Sequence, residues 1–269
     1  MRIIQISDTH LSVQHDHFRR NAEIIFSHVR EQSPDLIIHT GDLSMDAAGG
    51  VVADLEMARD WNAALPAEVL SIPGNHDVGD LPSLRADQAL NDELLTQWRD
   101  TIGPDYWVRE LNGWRLIGLN TMLCDTGHSA EEEQLSWLEQ QLSGNQPIAL
   151  FAHKPFCIDQ VDEGPCGYWT IAPEPRGRLL SLLAGKPVKL IASGHLHIQR
   201  HMIIDGIDHV WSPAASFVVG AMQQDLGGDR VIGYVEHVFE AERVTSRFVR
   251  PEGVEDLVFD PHRSTIYPD

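Results

Sequence analysis

Five short apolar runs along the chain end in aspartate, asparagine or histidine, and that repetition limits the folds open to it. Residues 3–7 lead into Asp8-Thr9-His10, residues 36–40 into Gly41-Asp42, and residues 68–72 into Pro73-Gly74-Asn75-His76-Asp77. Residues 148–152 stop at His153, and residues 188–192 at Ser193-Gly194-His195-Leu196-His197. Apolar runs of this length without polar alternation suit strands buried on both faces, as in a parallel sheet. Such sheets collect their chemistry at the rim where strands give way to loops. Pro73-Gly74 breaks its strand abruptly and presents Asn75 and His76 at that rim.

Between the runs lie segments of helical period. Residues 18–31 carry Ile24, Ile25, Phe26 and Val29, and residues 53–64 carry Leu55, Ala58 and Trp61. The resulting β-α-β-α-β order calls for parallel strands joined by right-handed crossovers. Further along, the pattern predicts a helix near residues 90–98 and a strand over 114–120. A capping box, Ser129-Ala130-Glu131-Glu132, opens a helix carrying Leu135, Leu138 and Leu142. Residues 155–175, with four prolines and two glycines, read as a surface lid, followed by a short helix over 178–183. Beyond His201, the runs 202–204, 208–211, 216–219, 231–239 and 243–249 are spaced as an antiparallel meander. Neither a repeat nor a linker divides the 269 residues, so one domain over 1–269 is expected, with 78–110 and 155–175 as segments capping the substrate.

The 42% hydrophobic content and seven tryptophans suffice for a true core. Forty acidic against twenty basic residues give a formal charge of −20, a field that repels polyanions. Polymeric nucleic acid and anionic membranes are therefore not expected partners. A small anion needs a locally positive spot, which bound metal would supply. Residues 1–8 form a strand pattern rather than a signal sequence, and no apolar run approaches a membrane span. Cys124, Cys157 and Cys166 are odd in number and lack CxxC spacing, which points to a reducing compartment, the cytoplasm.

Asp8, His10, Asp42, Asn75, His76, His153, His195 and His197 offer oxygen and nitrogen donors and no thiolate. That set suits manganese, iron, zinc or cobalt rather than a structural thiolate zinc. Asp8-x-His10 and His195-x-His197 have period-2 spacing, which in extended chain turns both side chains of a pair to one side, so that each pair binds together. Gly41 and Gly194 stand directly before ligands, where a Cβ would crowd the approach. Seven ligands divide between two ions, and Asp42, with two oxygens, can bridge them. With Asp8 and Asp42 the anions and Asn75 neutral, two divalent ions retain positive charge for an anionic ester. A lone histidine at a strand end is ordinarily capped or solvent-facing; it is the joint, ordered occurrence of all five endings that points to a site.

These blocks, spanning residues 8–197, resemble the five signature blocks of the calcineurin-like metallophosphoesterases, complete and in order. Ser7-Asp8-Thr9-His10-Leu11 and Gly74-Asn75-His76-Asp77 are most similar to the class III cyclic-nucleotide phosphodiesterase and glycerophosphodiesterase branch. The resemblance implies a four-layer α/β/β/α sandwich. It implies one metal on Asp8, His10, Asp42 and His197, and a second on Asp42, Asn75, His153 and His195. His76 would sit beside the phosphate, stabilising the transition state or protonating the leaving alkoxide, with Asp77 orienting it. The implied reaction is hydrolysis of a small phosphodiester, such as 3′,5′-cyclic AMP or a glycerophosphodiester, by metal-hydroxide attack.

The protein Ser/Thr phosphatase branch places arginine before Gly-Asn-His-Glu, whereas Ile72-Pro73 and Asp77 stand here, and few arginines lie near the blocks. A monoanionic diester is thereby favoured. A phosphomonoesterase or nucleotide pyrophosphatase of the same fold is the alternative; the −20 charge opposes a DNA nuclease, and the unbroken ligand set opposes a non-catalytic scaffold. A homo-oligomer is compatible with the chain.

Other residues carry weaker signals. His15 and His17 read as loop histidines or pocket-mouth residues, His128 as a surface residue near a helix cap, and His201 and His209 as structural. His39 points away from the metals by strand alternation. Tyr168 and Trp169, in the proline-rich segment with Cys157 and Cys166, either stack on a nucleobase or pack the loop down. Lys154 either grips phosphate or is solvated.

Overall fold

The apolar runs pair as their lack of alternation requires. The computed structural model describes residues 1–266. In chain order these form β1 (Arg2–Ile6), α1 (Arg19–Arg30), β2 (Leu36–His39), α2 (Val52–Ala63), β3 (Val69–Ser71), α3 (Asn75–Val78), α4 (Asp92–Thr101), β4 (Trp107–Leu111) and β5 (Trp114–Leu119). There follow α5 (Ser129–Gln141), β6 (Ile148–Ala152), α6 (Pro173–Leu183), β7 (Val188–Ser193), β8 (Arg200–Ile204), β9 (Ile207–Trp211), β10 (Tyr234–Phe239), β11 (Val244–Val249) and α7 (Arg263–Ile266). One sheet has the order β11-β10-β1-β2-β3 and the other β4-β5-β6-β7-β9-β8. β1, β2 and β3 run parallel, as do β5, β6, β7 and β9.

Successive strand residues face opposite ways, and the packing divides accordingly. Ile3, Leu36 and Ile38 of the first sheet meet Phe151, Leu190 and Ala192 of the second in one core. Their neighbours Ile4, Ile6 and Ile37 face outward onto Ile25, Phe26 and Val29 of α1. On the far side, Ile117, Leu119, Leu150 and Ile191 pack against Leu138 of α5 and Leu179 and Leu183 of α6. Helix, sheet, sheet and helix therefore stack in four layers, as the resemblance implies. Fully burying each such side chain contributes about 1.5–3 kcal/mol, so the layers hold by apolar burial on three interfaces.

Several local expectations are corrected. The α5 cap is His128 rather than Ser129: its Nδ1 accepts from the Ala130 N–H at 3.1 Å. α6 starts at Pro173, five residues before expectation, because proline's fixed φ and missing N–H suit a first turn. The proline-rich segment is thus shorter, and Phe156, Cys157, Ile158 and Ile171 anchor its two ends in the core, while residues 159–169 between them are exposed or half-buried. The expected meander is two hairpins in different sheets: β8–β9 joins the second, and β10–β11 the first, antiparallel to β1. Residues 216–219 make only an isolated bridge, Val218 to Val258. β4 was not expected within 78–110; its Trp107 lies over Gly118, where any Cβ would come within 2.4 Å of the indole. No helix among the described residues is long and apolar enough to cross a membrane.

Candidate metal centre

Parallel strands bring their C-terminal ends to the same edge. Asp8 follows β1, Asp42 follows β2, Asn75 follows β3, His153 follows β6, and His195 and His197 follow β7. The chain turns sharply there. Asp8, His10, Asp42, His195 and His197 have φ of +54°, +43°, +51°, +69° and +54°, the left-handed region that side chains other than glycine rarely enter. Three glycines give the room. A Cβ at Gly41 would lie 2.4 Å from His153 Nδ1, one at Gly74 2.2 Å from Asp42 Oδ1, and one at Gly194 1.9 Å from Ser7 Oγ.

All seven expected ligands and His76 come together. The ligand atoms of Asp8, His10 and His197 lie within 4.8 Å of one another, as do those of Asp42, His153 and His195. His10 Nε2 is 3.2 Å from His197 Nε2, and His197 Nε2 is 3.3 Å from Asp8 Oδ1. Asp42 Oδ2 stands between the two groups, 3.6 Å from His10 Nε2 and 3.3 Å from His153 Nε2. Asn75 Oδ1 is 3.3 Å from His153 Nε2. The period-2 reading is half right: Asp8 and His10 share a group, but His195 and His197 fall in different ones. Its premise of extended chain holds at neither pair, since all four residues are left-handed.

Backbone carbonyls fix the histidine tautomers, because a carbonyl only accepts. His153 Nδ1–H donates to Thr40 O at 2.8 Å, His197 Nδ1–H to Phe217 O at 2.6 Å, and His195 Nε2–H to Tyr168 O at 2.9 Å. Each ring thus turns its other nitrogen inward, the arrangement typical of metal-ligating histidine. Burial holds His10 and His195 well below the ordinary histidine pKa, which keeps them neutral. At His153 burial pulls the same way, but the Asp42 and Asp8 carboxylates outweigh it and raise the pKa to about 9. Burial would raise Asp8, yet His197 and His153 hold it at about 2; Asp42 is likewise kept anionic by His153 and His76. Inward lone pairs of oxygen and nitrogen around two carboxylates fit divalent ions.

His76 borders these groups and clusters with His10 and Asp42, its ring 4.8 Å from that of His10. Its Nδ1–H donates to Met45 O at 2.8 Å, so the ring is oriented by a carbonyl and not by Asp77. Asp77 instead accepts from Leu43 N, Ser44 N, Ser44 Oγ and Gly74 N, clasping the turns after β2 and β3 together. Burial and the Asp42 charge push Asp77 up to about 7, against those four donors.

His10, Asp42, His76, His195 and His197 line a cleft of about 350 Å³. Phe217, Val219, Met222 and Phe259 make it apolar, Tyr168 and Trp169 border it, and Arg85 and Arg263 line it as well. Sequence reading missed the two arginines and the two phenylalanines: Arg85, Phe259 and Arg263 lie in or beside short helical turns and Phe217 beside the isolated bridge at Val218, and none carries a motif. Lys154 neither grips phosphate nor is solvated: its Nζ donates to both oxygens of buried Asp80 at 2.8 Å. His39 is buried beside Thr9 Oγ1, away from the metals as expected. His15, His17, His128, His201 and His209 do not line the cleft. The three cysteines are free thiols.

A family model of the calcineurin-like phosphoesterases matches residues 1–199. The serine/threonine-protein phosphatase CPPED1 of Homo sapiens is 26% identical over 245 residues, covering 84% of this chain and 73% of its own. A probable cyclic nucleotide phosphodiesterase of Synechococcus is 30% identical over 210 residues, 73% of each chain. The glycerophosphodiester phosphodiesterase GpdQ of Enterobacter lignolyticus is 30% identical over 217 residues, 73% of this chain and 71% of its own. The family match runs from β1 past His197 and so contains every strand end that meets at the cleft; the chain belongs to the calcineurin-like phosphoesterases.

Proposed function

We propose that this metal-dependent phosphoester hydrolase is a dinuclear phosphodiesterase acting on a small diester, a cyclic nucleotide or a glycerophosphodiester. The observation that carries the reading is the pair of donor groups with Asp42 between them, both contributing to the lining of an apolar cleft. One ion would be held by Asp8, His10, Asp42 and His197, the other by Asp42, Asn75, His153 and His195. The all-oxygen-and-nitrogen donor set suits manganese, iron, zinc or cobalt. Ions bound there supply Lewis-acid polarisation of phosphoryl oxygens and an acidified water.

The chain's own groups do the rest. His76, fixed through Nδ1 on Met45 O, turns Nε2 toward the cleft, where a proton on that atom passes to the departing alkoxide. Phe217, Phe259 and Trp169 exclude water and take the organic part of the ester. A single domain over 1–269 acting on a small cytoplasmic substrate accords with this reading.

A second reading, phosphomonoester hydrolysis, is favoured by Arg85 and Arg263 in the cleft, since guanidinium grips a dianion well. A substrate panel on metal-loaded protein separates them. The diesterase reading expects turnover of cyclic AMP, glycerophosphocholine or bis-nitrophenyl phosphate well above that of mono-nitrophenyl phosphate. Preference for the monoester would overturn it.

A further inference from the structure

The segment after β6 carries one residue that meets the second donor group at several points, through both its side chain and its carbonyl. Asn75 Nδ2 donates to Tyr168 Oη at 2.8 Å, and the Tyr168 carbonyl accepts from His195 Nε2–H at 2.9 Å. The phenol ring lies 4.8 Å from the His195 ring, and Lys154 Nζ lies 5.2 Å from the phenol's centroid. Lys154 is itself pinned by Asp80. Asn75 and His195 both belong with Asp42 and His153. Among the described residues, no hydrogen bond or ring contact joins Tyr168 to Asp8, His10 or His197.

The contact at Oη decides which way the Asn75 amide faces. With its NH2 held from outside, the amide presents Oδ1 toward His153 Nε2, 3.3 Å away. Released, it can turn over and offer NH2 to that nitrogen, and the donor group then loses an oxygen. Partners of this kind, one bond behind a ligand, typically change metal affinity about 10–100-fold.

We propose that Tyr168 is a positioning residue: its phenol oxygen holds Asn75 so that Oδ1 serves the second metal ion, and it thereby sets the affinity of that ion alone. The inference rests on the dinuclear reading above, and it assigns to one residue outside the ligand set the control of one of two adjacent ions.

The test is metal binding, not turnover. Wild-type protein and Tyr168→Phe are stripped with a chelator and titrated with Mn²⁺, with occupancy read by equilibrium dialysis and elemental analysis. Phenylalanine keeps the ring against Lys154 and His195 and removes only Oη. The expected result is two ions in the wild type, and in Tyr168→Phe an unchanged first ion with the second weakened about tenfold or more. In an Asn75→Ala background, Tyr168→Phe should add less than about threefold, because the phenol acts through Asn75. An unchanged second affinity, an equal loss at both sites, or a full additional tenfold in the Asn75→Ala background overturns the proposal. A wild-type chain that binds only one ion overturns the dinuclear reading itself, and the proposal with it.

Discussion

Lys154 offers the sharpest separation between a structural and a catalytic role. Its Nζ lies 2.8 Å from both oxygens of Asp80, and the two side chains are 5% and 2% exposed. Lys154→Met keeps the apolar stem and removes the charge, which leaves the Asp80 carboxylate buried without its cation. Removing one partner of a buried pair costs about 3–5 kcal/mol. Asp80 Oδ1 still accepts from the Leu81 N–H at 2.8 Å, so the lower end, about 3 kcal/mol, is expected. At roughly 2–4 °C per kcal/mol for a chain of this size, the thermal midpoint should fall by about 6–12 °C. Urea unfolding at pH 7 gives the free energy directly, with an unchanged slope as the control for compactness. The double variant Lys154→Met with Asp80→Leu removes both charges and should recover most of the loss, since a buried pair is often worth no more than a well-packed apolar one. A phosphate-gripping lysine would behave in the opposite way, raising KM while the midpoint stays put. A Lys154→Met protein within about 1 kcal/mol of wild type would refute the reasoning from burial.

Three further outcomes follow from the geometry. His76→Ala should lower turnover by about 10²–10⁴-fold while both ions remain on elemental analysis; loss of an ion would assign His76 to the metals beside His10 and Asp42. Gly194→Ala drives a Cβ to 1.9 Å from Ser7 Oγ and 2.6 Å from Asp8 Oδ2, so it should cost about 1–3 kcal/mol and weaken the ion on Asp8; wild-type melting and metal content would contradict this. Burial holds His237 down at about 3, below its ordinary 6.5, so between those values the unfolded chain binds the extra proton and stability falls as pH falls. From pH 7 to 5 this group removes about 2 kcal/mol, and His237→Gln should lose that much less in urea titrations at the two pH values.

The strands and their polar endings were legible because burial on both faces leaves an unalternating apolar run. Ile3, Ile4, Ile37, Ile38, Leu150 and Leu190 have no exposed surface. The sheet assignment of the last strands was not legible. β10 pairs Val238 with Arg2, more than two hundred residues away, and nothing in its own alternation distinguishes one sheet edge from another. Lys154 was misread for the same reason: its partner lies 74 residues earlier, and burial of both is a property of the assembled layers. Arg85, Phe217 and the turn from Phe259 to Arg263 reach the cleft from three separate segments without a motif, so only the folded shape brings them to one cavity. Residues that bind a metal must keep their chemistry, whereas residues that shape a cleft need only size and position.

The backbone at the ligands carries this further. Among the described residues, eight besides glycine have positive φ, and five of them are Asp8, His10, Asp42, His195 and His197. Such conformations cost of order 1–3 kcal/mol each and persist only where the surroundings leave no alternative. Here the surroundings are specific. The Asp8 N–H donates to Gly41 O and the His10 N–H to Asp42 O, while the His195 N–H donates to both Asp8 oxygens at 3.2 and 3.1 Å. Asp8 thus serves the turn at His195 as well as its own donor group. Positive φ alone does not divide a pair, since Asp8 and His10 are left-handed too and share a group; His195 is anchored through Nε2 on Tyr168 O and His197 through Nδ1 on Phe217 O, and the two fall in different groups. The His-x-His spacing thus supplies both groups from a single strand end.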